Sequence, residues 1–196
     1  MAKGVRPLTI EEMHQVAESF TGPMWRRNRA LFLTQYYTGR RITQTLSLRL
    51  GDVLTPQGAI VDTIWFRRMH TKGKIEGQSV VLHPKARPAL VEWIREMRTL
   101  GYMTSDCWLF PAFGRQTALT KDSAYQIYKR AFNRLGLEGR LGTHSLRKLY
   151  GRQVYQKSGK DIRVTQEALG HKNLANTATY IALEAEQVRR VILEAL

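Results

Sequence analysis

The chain has 196 residues, 43% of them hydrophobic, enough for one substantial domain with a real core and too apolar for wholesale disorder. Thirty-one Lys and Arg against sixteen Asp and Glu leave a formal charge of +15. That charge is spread along the chain rather than gathered in a tail, so it calls for a polyanion on the folded surface, nucleic acid first. A single cysteine, Cys107, excludes an intrachain disulfide. No signal-peptide apolar core and no run near the roughly 20 apolar residues of a membrane helix is present, so a cytoplasmic protein without a membrane partner is expected.

Residues 1–8 are a short basic lead-in. Thr9-Ile10-Glu11-Glu12 then reads as a capping box, Thr9 capping the first turn and Glu12 reaching back. The helix it opens should run to about Phe20, where Gly22-Pro23 breaks it. Further helices are predicted over Trp25–Tyr37, stopped near Gly39, and over Ile42–Leu50. The texture changes between Val53 and His83. Thr55-Pro56-Gln57-Gly58 and Lys72-Gly73-Lys74 are turn signals around β-branched and aromatic runs at Ile60–Arg68 and Ser79–Leu82. Cys107 sits in the apolar run Cys107-Trp108-Leu109-Phe110, where a buried, inert thiol is expected. Helical patterns resume at about Ala86–Leu100, Ser123–Leu135, His144–Lys157, Ile162–Leu169 and Ala182–Leu196. The expected fold is α+β, mainly α-helical with a small antiparallel three-stranded sheet, in one domain over residues 1–196.

Three short segments carry residues suited to chemistry on a phosphate. If Thr143-His144-Ser145-Leu146-Arg147 opens a helix, His144 and Arg147 stand at i and i+3 on one face. A proton carrier beside a fixed cation suits a phosphodiester, one moving a proton and the other neutralising an oxygen. Arg40-Arg41 precedes a helix start, where the helix dipole favours anions, so something other than the helix must want those cations. Leu169-Gly170-His171 ends a helix at Gly170, with Thr177 and Tyr180 following in the next turns. Taken singly, each segment has a plainer reading: a solvated basic face, a structural histidine, a half-buried tyrosine.

Together, in this order, they resemble the tyrosine recombinase (phage integrase) superfamily. Its catalytic domain carries a Thr-Gly-x-Arg segment, a lysine in a β-turn, a His-x-x-Arg helix, a Leu-Gly-His segment and a tyrosine nine residues later. Here these read Thr38-Gly39-Arg40-Arg41, Lys72, His144-Ser145-Leu146-Arg147, Leu169-Gly170-His171 and Tyr180. Trp108-Leu109-Phe110-Pro111 is similar to the family's Leu-Phe-Pro stretch.

The resemblance implies a site-specific recombinase acting on double-stranded DNA, with Tyr180 attacking phosphorus to form a 3′-phosphotyrosyl link. It implies that Arg41 and Arg147 clamp the non-bridging oxygens and that His171 donates to one of them. His144 would take the tyrosine proton or orient the phosphate. Lys72 would protonate the leaving 5′-oxygen; Lys74 is the alternative, and the Thr71-Lys72 pair favours Lys72. No metal or other cofactor is called for, since guanidiniums supply the positive charge. Subunits would assemble as a tetramer on DNA, with the tail helix 182–196 either docking on a neighbour or folding back on its own core. Tyr125, Lys129 and Arg130 offer a further surface for the duplex. Two departures stand out. Gln44 occupies a position that is usually acidic, and fewer than ten residues precede the first expected helix where most members carry an N-terminal core-binding domain, as expected of either a fragment or a naturally short member. A DNA-binding regulator that has lost the chemistry and a type IB topoisomerase are the competing readings. The first has no physical reason to keep Arg41, Lys72, His144, Arg147, His171 and Tyr180 intact.

Overall fold

In the computed structural model, helix α1 (Ile10–Glu18) begins where the sequence placed it. Thr9 Oγ1 accepts from the Glu12 N–H at 3.1 Å, and Glu12 returns a carboxylate oxygen to the Thr9 N–H at 2.9 Å. A cap of this kind contributes about 1 kcal/mol. Arg6 grips the same carboxylate with both ends of its guanidinium, each at 2.7 Å, and so fastens the lead-in to α1. The structure describes residues 4–67, 77–102, 104–171 and 173–181. The chain divides into two compact units, Met1–Tyr150 and Gly151–Leu196.

The first unit is built around α2 (Trp25–Thr38), in which ten of fourteen residues are buried. A helix enclosed on nearly all sides must be packed by several elements. They are α1, α3 (Ile42–Leu46), α4 (Arg87–Thr99), α5 (Lys121–Arg134) and the start of α6 (Thr143–Lys157). Phe32 of α2 meets Tyr128 of α5 edge-to-face at 5.1 Å and Phe20 at 5.5 Å. Trp93 of α4 is fully buried and donates its indole N–H to the Leu109 carbonyl at 2.7 Å. Arg27, 4% exposed, spends its guanidinium on Asn28 Oδ1 and on the Pro111 carbonyl, tying the Leu-Phe-Pro stretch to α2.

The expected three-stranded sheet has two strands among the described residues. β1 (Thr63–Arg67) pairs antiparallel with β2 (Gly77–Val81), Thr63 opposite Val81 and Arg67 opposite Gly77. The segment before the first turn makes only a single bridge, Leu54 to Ile60. Leu50–Asp52 is wound into a 3-10 turn, and Pro56 and Gly58 (φ +82°) turn the chain back almost at once. That leaves no room for a ladder, and Pro56 could not donate to one.

A second departure follows the leucines. The helix predicted to Leu50 stops at Leu46, because Leu46, Leu48 and Leu50 are all buried at strand spacing. Leu48 and Leu50 pair with the 107–109 segment, the Leu109 N–H on the Leu48 carbonyl at 2.9 Å and the Leu50 N–H on the Cys107 carbonyl at 2.8 Å. Cys107 is half-buried rather than enclosed, its Sγ 3.3 Å from Thr104 Oγ1.

The second unit holds the end of α6 with α7 (Ile162–Leu169) and α8 (Leu174–Ile181). Asp161 caps α7 by accepting from the Arg163 and Val164 N–H groups at 2.7 and 3.1 Å. Gly170 ends it at φ +66°, as its position in the motif predicts. The predicted tail helix Ala182–Leu196 lies outside the described residues. Among the described residues no helix is long and apolar enough to cross a membrane.

Candidate active site

Helix α2 ends at Gly39, whose φ of +62° an ordinary residue adopts only under strain. Space forbids a side chain there as well: a Cβ would lie 2.3 Å from the Tyr150 ring. The backbone can therefore pass directly over Tyr150 and turn toward α3. Arg41, in extended conformation, is the residue before that helix, and its side chain is solvent-exposed. Gln44, in the place of the usual acid, reaches back with Oε1 to the Arg41 N–H at 3.1 Å. The amide thus makes a backbone cap while adding no negative charge beside the guanidinium.

Arg147 approaches the same turn from α6. It is fully buried and donates from Nη1 to the Gly39 carbonyl. Two further bonds set the position of α6: Gln35 Nε2 donates to the Thr143 carbonyl at 2.9 Å, and the Gly142 N–H donates to Ser145 Oγ at 3.1 Å. Ser145, the second residue of the His-x-x-Arg segment, therefore acts as a local brace. His144 is open to solvent, yet its imidazole is held below its ordinary pKa. The partial loss of water around the ring is the first cause. The cations Arg147, Arg41, Lys121 and Lys148 follow. His144 is accordingly neutral at pH 7 and able to accept a proton. Tyr150 sits beneath the turn, half-buried. Burial raises its hydroxyl's pKa, against the opposing pull of Arg40 and Arg147.

Three predicted residues from distant parts of the sequence, Arg41, His144 and Arg147, thus lie in one electrostatic neighbourhood. Lys72 and its alternative Lys74 lie outside the described residues. In the second unit His171 is buried, with Nδ1 3.0 Å from Thr177 Oγ1 on α8. Its backbone is closed by Gln166, which receives the His171 N–H on its carbonyl at 3.1 Å and gives its side-chain N–H to the His171 carbonyl at 3.0 Å. Tyr180 falls in α8, three residues past Thr177; its side chain is outside the described residues. On α5 Lys129 and Arg130 are exposed, while Tyr125 is half-buried against Gly142. Sequence reasoning missed Arg40 and Gln78, which meet beneath the turn. An arginine beside another arginine gives no sign that it is buried.

Comparison with known proteins identifies relatives of the chain. Residues 5–187 match the phage integrase family. The chain is 31% identical over 199 residues to tyrosine recombinase XerC of Halalkalibacterium halodurans, covering 96% of this chain and 63% of that protein. It is 29% identical over 214 residues to tyrosine recombinase XerD of Mycobacterium tuberculosis, covering 97% of this chain and 64% of the relative. It therefore spans less than two thirds of the length of these relatives. Among solved structures, XerH site-specific recombinase in a post-cleavage complex with its palindromic difH substrate superposes with a TM-score of 0.76. The two are 27% identical, over 95% of this chain and 52% of that one.

Proposed function

The chain belongs to the phage integrase family, and on that footing we propose that it cuts and rejoins duplex DNA at a specific site through Tyr180. The observation that carries the proposal is the neighbourhood of His144: among the described residues Arg147, Arg41, Lys121 and Lys148 gather around its imidazole, and one of them, Arg41, is solvent-exposed. Such a cluster favours an anion on energetic grounds, and a phosphodiester fits two guanidiniums and an imidazole.

In the reaction, Tyr180 Oη attacks the scissile phosphorus, the bond to the 5′-oxygen breaks, and the 3′-phosphate is left esterified to the tyrosine. Arg41 and Arg147 neutralise the non-bridging oxygens as charge develops. The tyrosine proton passes to neutral His144, and Lys72 gives a proton to the leaving 5′-oxygen. If Nδ1 of His171 accepts from the Thr177 hydroxyl, the ring proton stands on Nε2 and can be donated to the phosphate. Religation is the reverse, so no external energy source enters. Strand exchange requires two duplexes each cut on both strands. The working form is then a tetramer on DNA in which residues 1–196 act as the catalytic domain and residues 182–196 are the candidate docking segment.

A nicked suicide substrate, which loses the short strand that would reverse the cut, tests the reading. A denaturant-resistant protein–DNA band is expected. DNA binding with no such band would leave a regulator. Relaxation of supercoiled DNA lacking any cognate site would point to a topoisomerase. Affinity for duplex DNA should also fall on the order of a thousandfold between about 50 and 200 mM salt if roughly six phosphates are contacted. A flat salt dependence would exclude nucleic acid as the main partner. Lys72→Ala should slow cleavage strongly, and a substrate with a 5′-sulfur leaving group, which needs little protonation, should recover most of the rate. Recovery confined to Lys74→Ala would transfer the role to Lys74.

A further inference from the structure

Adjacent arginines in the turn between α2 and α3 meet opposite fates. Arg41 is exposed, whereas Arg40 is 1% exposed. A guanidinium is seldom enclosed to that degree unless its donors are engaged. Arg40 Nε donates to the Thr38 carbonyl at 3.2 Å, and its Nη1 donates to Gln78 Oε1 on β2. Thr38 is itself bonded back into α2 through its hydroxyl, 2.6 Å from the Thr34 carbonyl. Gly39 is gripped by Arg147 from the other side and pressed over Tyr150. Each of the three residues before Arg41 is therefore fastened, and Arg40 provides the fastening that reaches across to the sheet.

We propose that Arg40 is a positioning residue: by tying the turn to β2 through Gln78, it fixes the direction in which Arg41 is presented beside His144. An apolar side chain could fill the same space but could not bond Thr38 and Gln78 at once. Lysine could reach one acceptor but has no planar fork to hold two in a set geometry. The consequence for cleavage rests on the proposed recombinase reading; the placement of Arg41 does not.

The test uses a readout for each part. His144, assigned in NMR spectra by comparison with His144→Gln, reports where the Arg41 charge sits, because Arg41 is one of the cations beside it. In Arg40→Met and in Gln78→Leu the His144 titration midpoint should rise toward its value in Arg41→Met. Gln78→Glu keeps the acceptor and should cleave at close to the unsubstituted rate, whereas Gln78→Leu should not. Single-turnover cleavage at saturating DNA should slow on the order of a hundredfold in Arg40→Met, with the half-saturating DNA concentration little changed. The double variant Arg40→Met/Gln78→Leu should be no slower than Arg40→Met alone. An unmoved His144 midpoint in both single variants, with only thermal stability lowered, would reduce Arg40 to packing and overturn the inference. Should the unsubstituted chain form no adduct, the recombinase reading fails while the titration still decides the placement of Arg41. Should Arg40→Met fail to fold, the contrast between Gln78→Leu and Gln78→Glu decides it.

Discussion

Tyr180→Phe should bind duplex DNA as tightly as the unsubstituted chain and form no covalent adduct. The substitution removes one oxygen and keeps the ring, so helix α8 and the exposed cations proposed to hold DNA should be untouched. Chemistry should be lost altogether, since the lost atom is the one proposed to bond to phosphorus. Gel detection of a denaturant-resistant band at near-normal yield would show the tyrosine to be wrongly assigned. Tyr155 would then be tested before Tyr150, whose hydroxyl lies in a half-buried position that raises its pKa.

Arg147→Ala should differ in kind, because this side chain has a structural task beside the catalytic one proposed for it. Its guanidinium is fully enclosed and holds the Gly39 carbonyl. Truncation leaves that carbonyl without this donor and opens a void, at a cost of about 1–3 kcal/mol readable in urea or thermal unfolding. The attacking tyrosine remains, so cleavage should persist, slower by roughly 10²–10³-fold, as when one donor to a developing oxyanion is removed. His144 supplies a third readout. Partial burial still holds its pKa down, but the first of its cationic neighbours is gone, so the midpoint should move up toward the ordinary histidine value. In the folded chain a depressed histidine pKa makes protonation favour unfolding. That penalty, present below the unfolded-state pKa, should shrink in the variant as the midpoint rises. Unchanged cleavage with lowered stability would confine Arg147 to a structural role.

The helix framework was legible because its punctuation is local. Thr9 with Glu12, Gly39 and Gly170 announce their caps within a few residues, and the structure places them where those signals fall. The run from Ile42 to Leu50 misled because apolar residues at 46, 48 and 50 suit a strand as well as the edge of a helix, and the partner that decides lies near residue 108. That the third strand is not found among the described residues has a similar cause: turn chemistry marks where the chain reverses but not whether enough residues remain to pair. In the candidate site, motif order singles out Arg41, His144 and Arg147, which folding brings into one neighbourhood, and the Gln44 amide accepts from the Arg41 backbone N–H. Arg40 was not, since burial of a charged side chain depends on acceptors that folding supplies from elsewhere, here Gln78.

The bonds from Gln35 to Thr143 and from Arg147 to Gly39 each span 108 residues of chain. Loops of that length close late in folding, since the entropy of joining distant segments is lost before the contact is made. A ribosome adding about 5–20 residues per second needs roughly 5–20 s to pass from one partner to the other. Through that interval the nascent chain carries Arg41 and most of its basic surface but lacks His144 and Arg147. On the proposed reading it could adhere to DNA without being able to cut it. If the chain breaks strands as proposed, that capacity arises only after residue 147 has been made, so a product terminated before it would be inert toward the genome rather than a source of nicks.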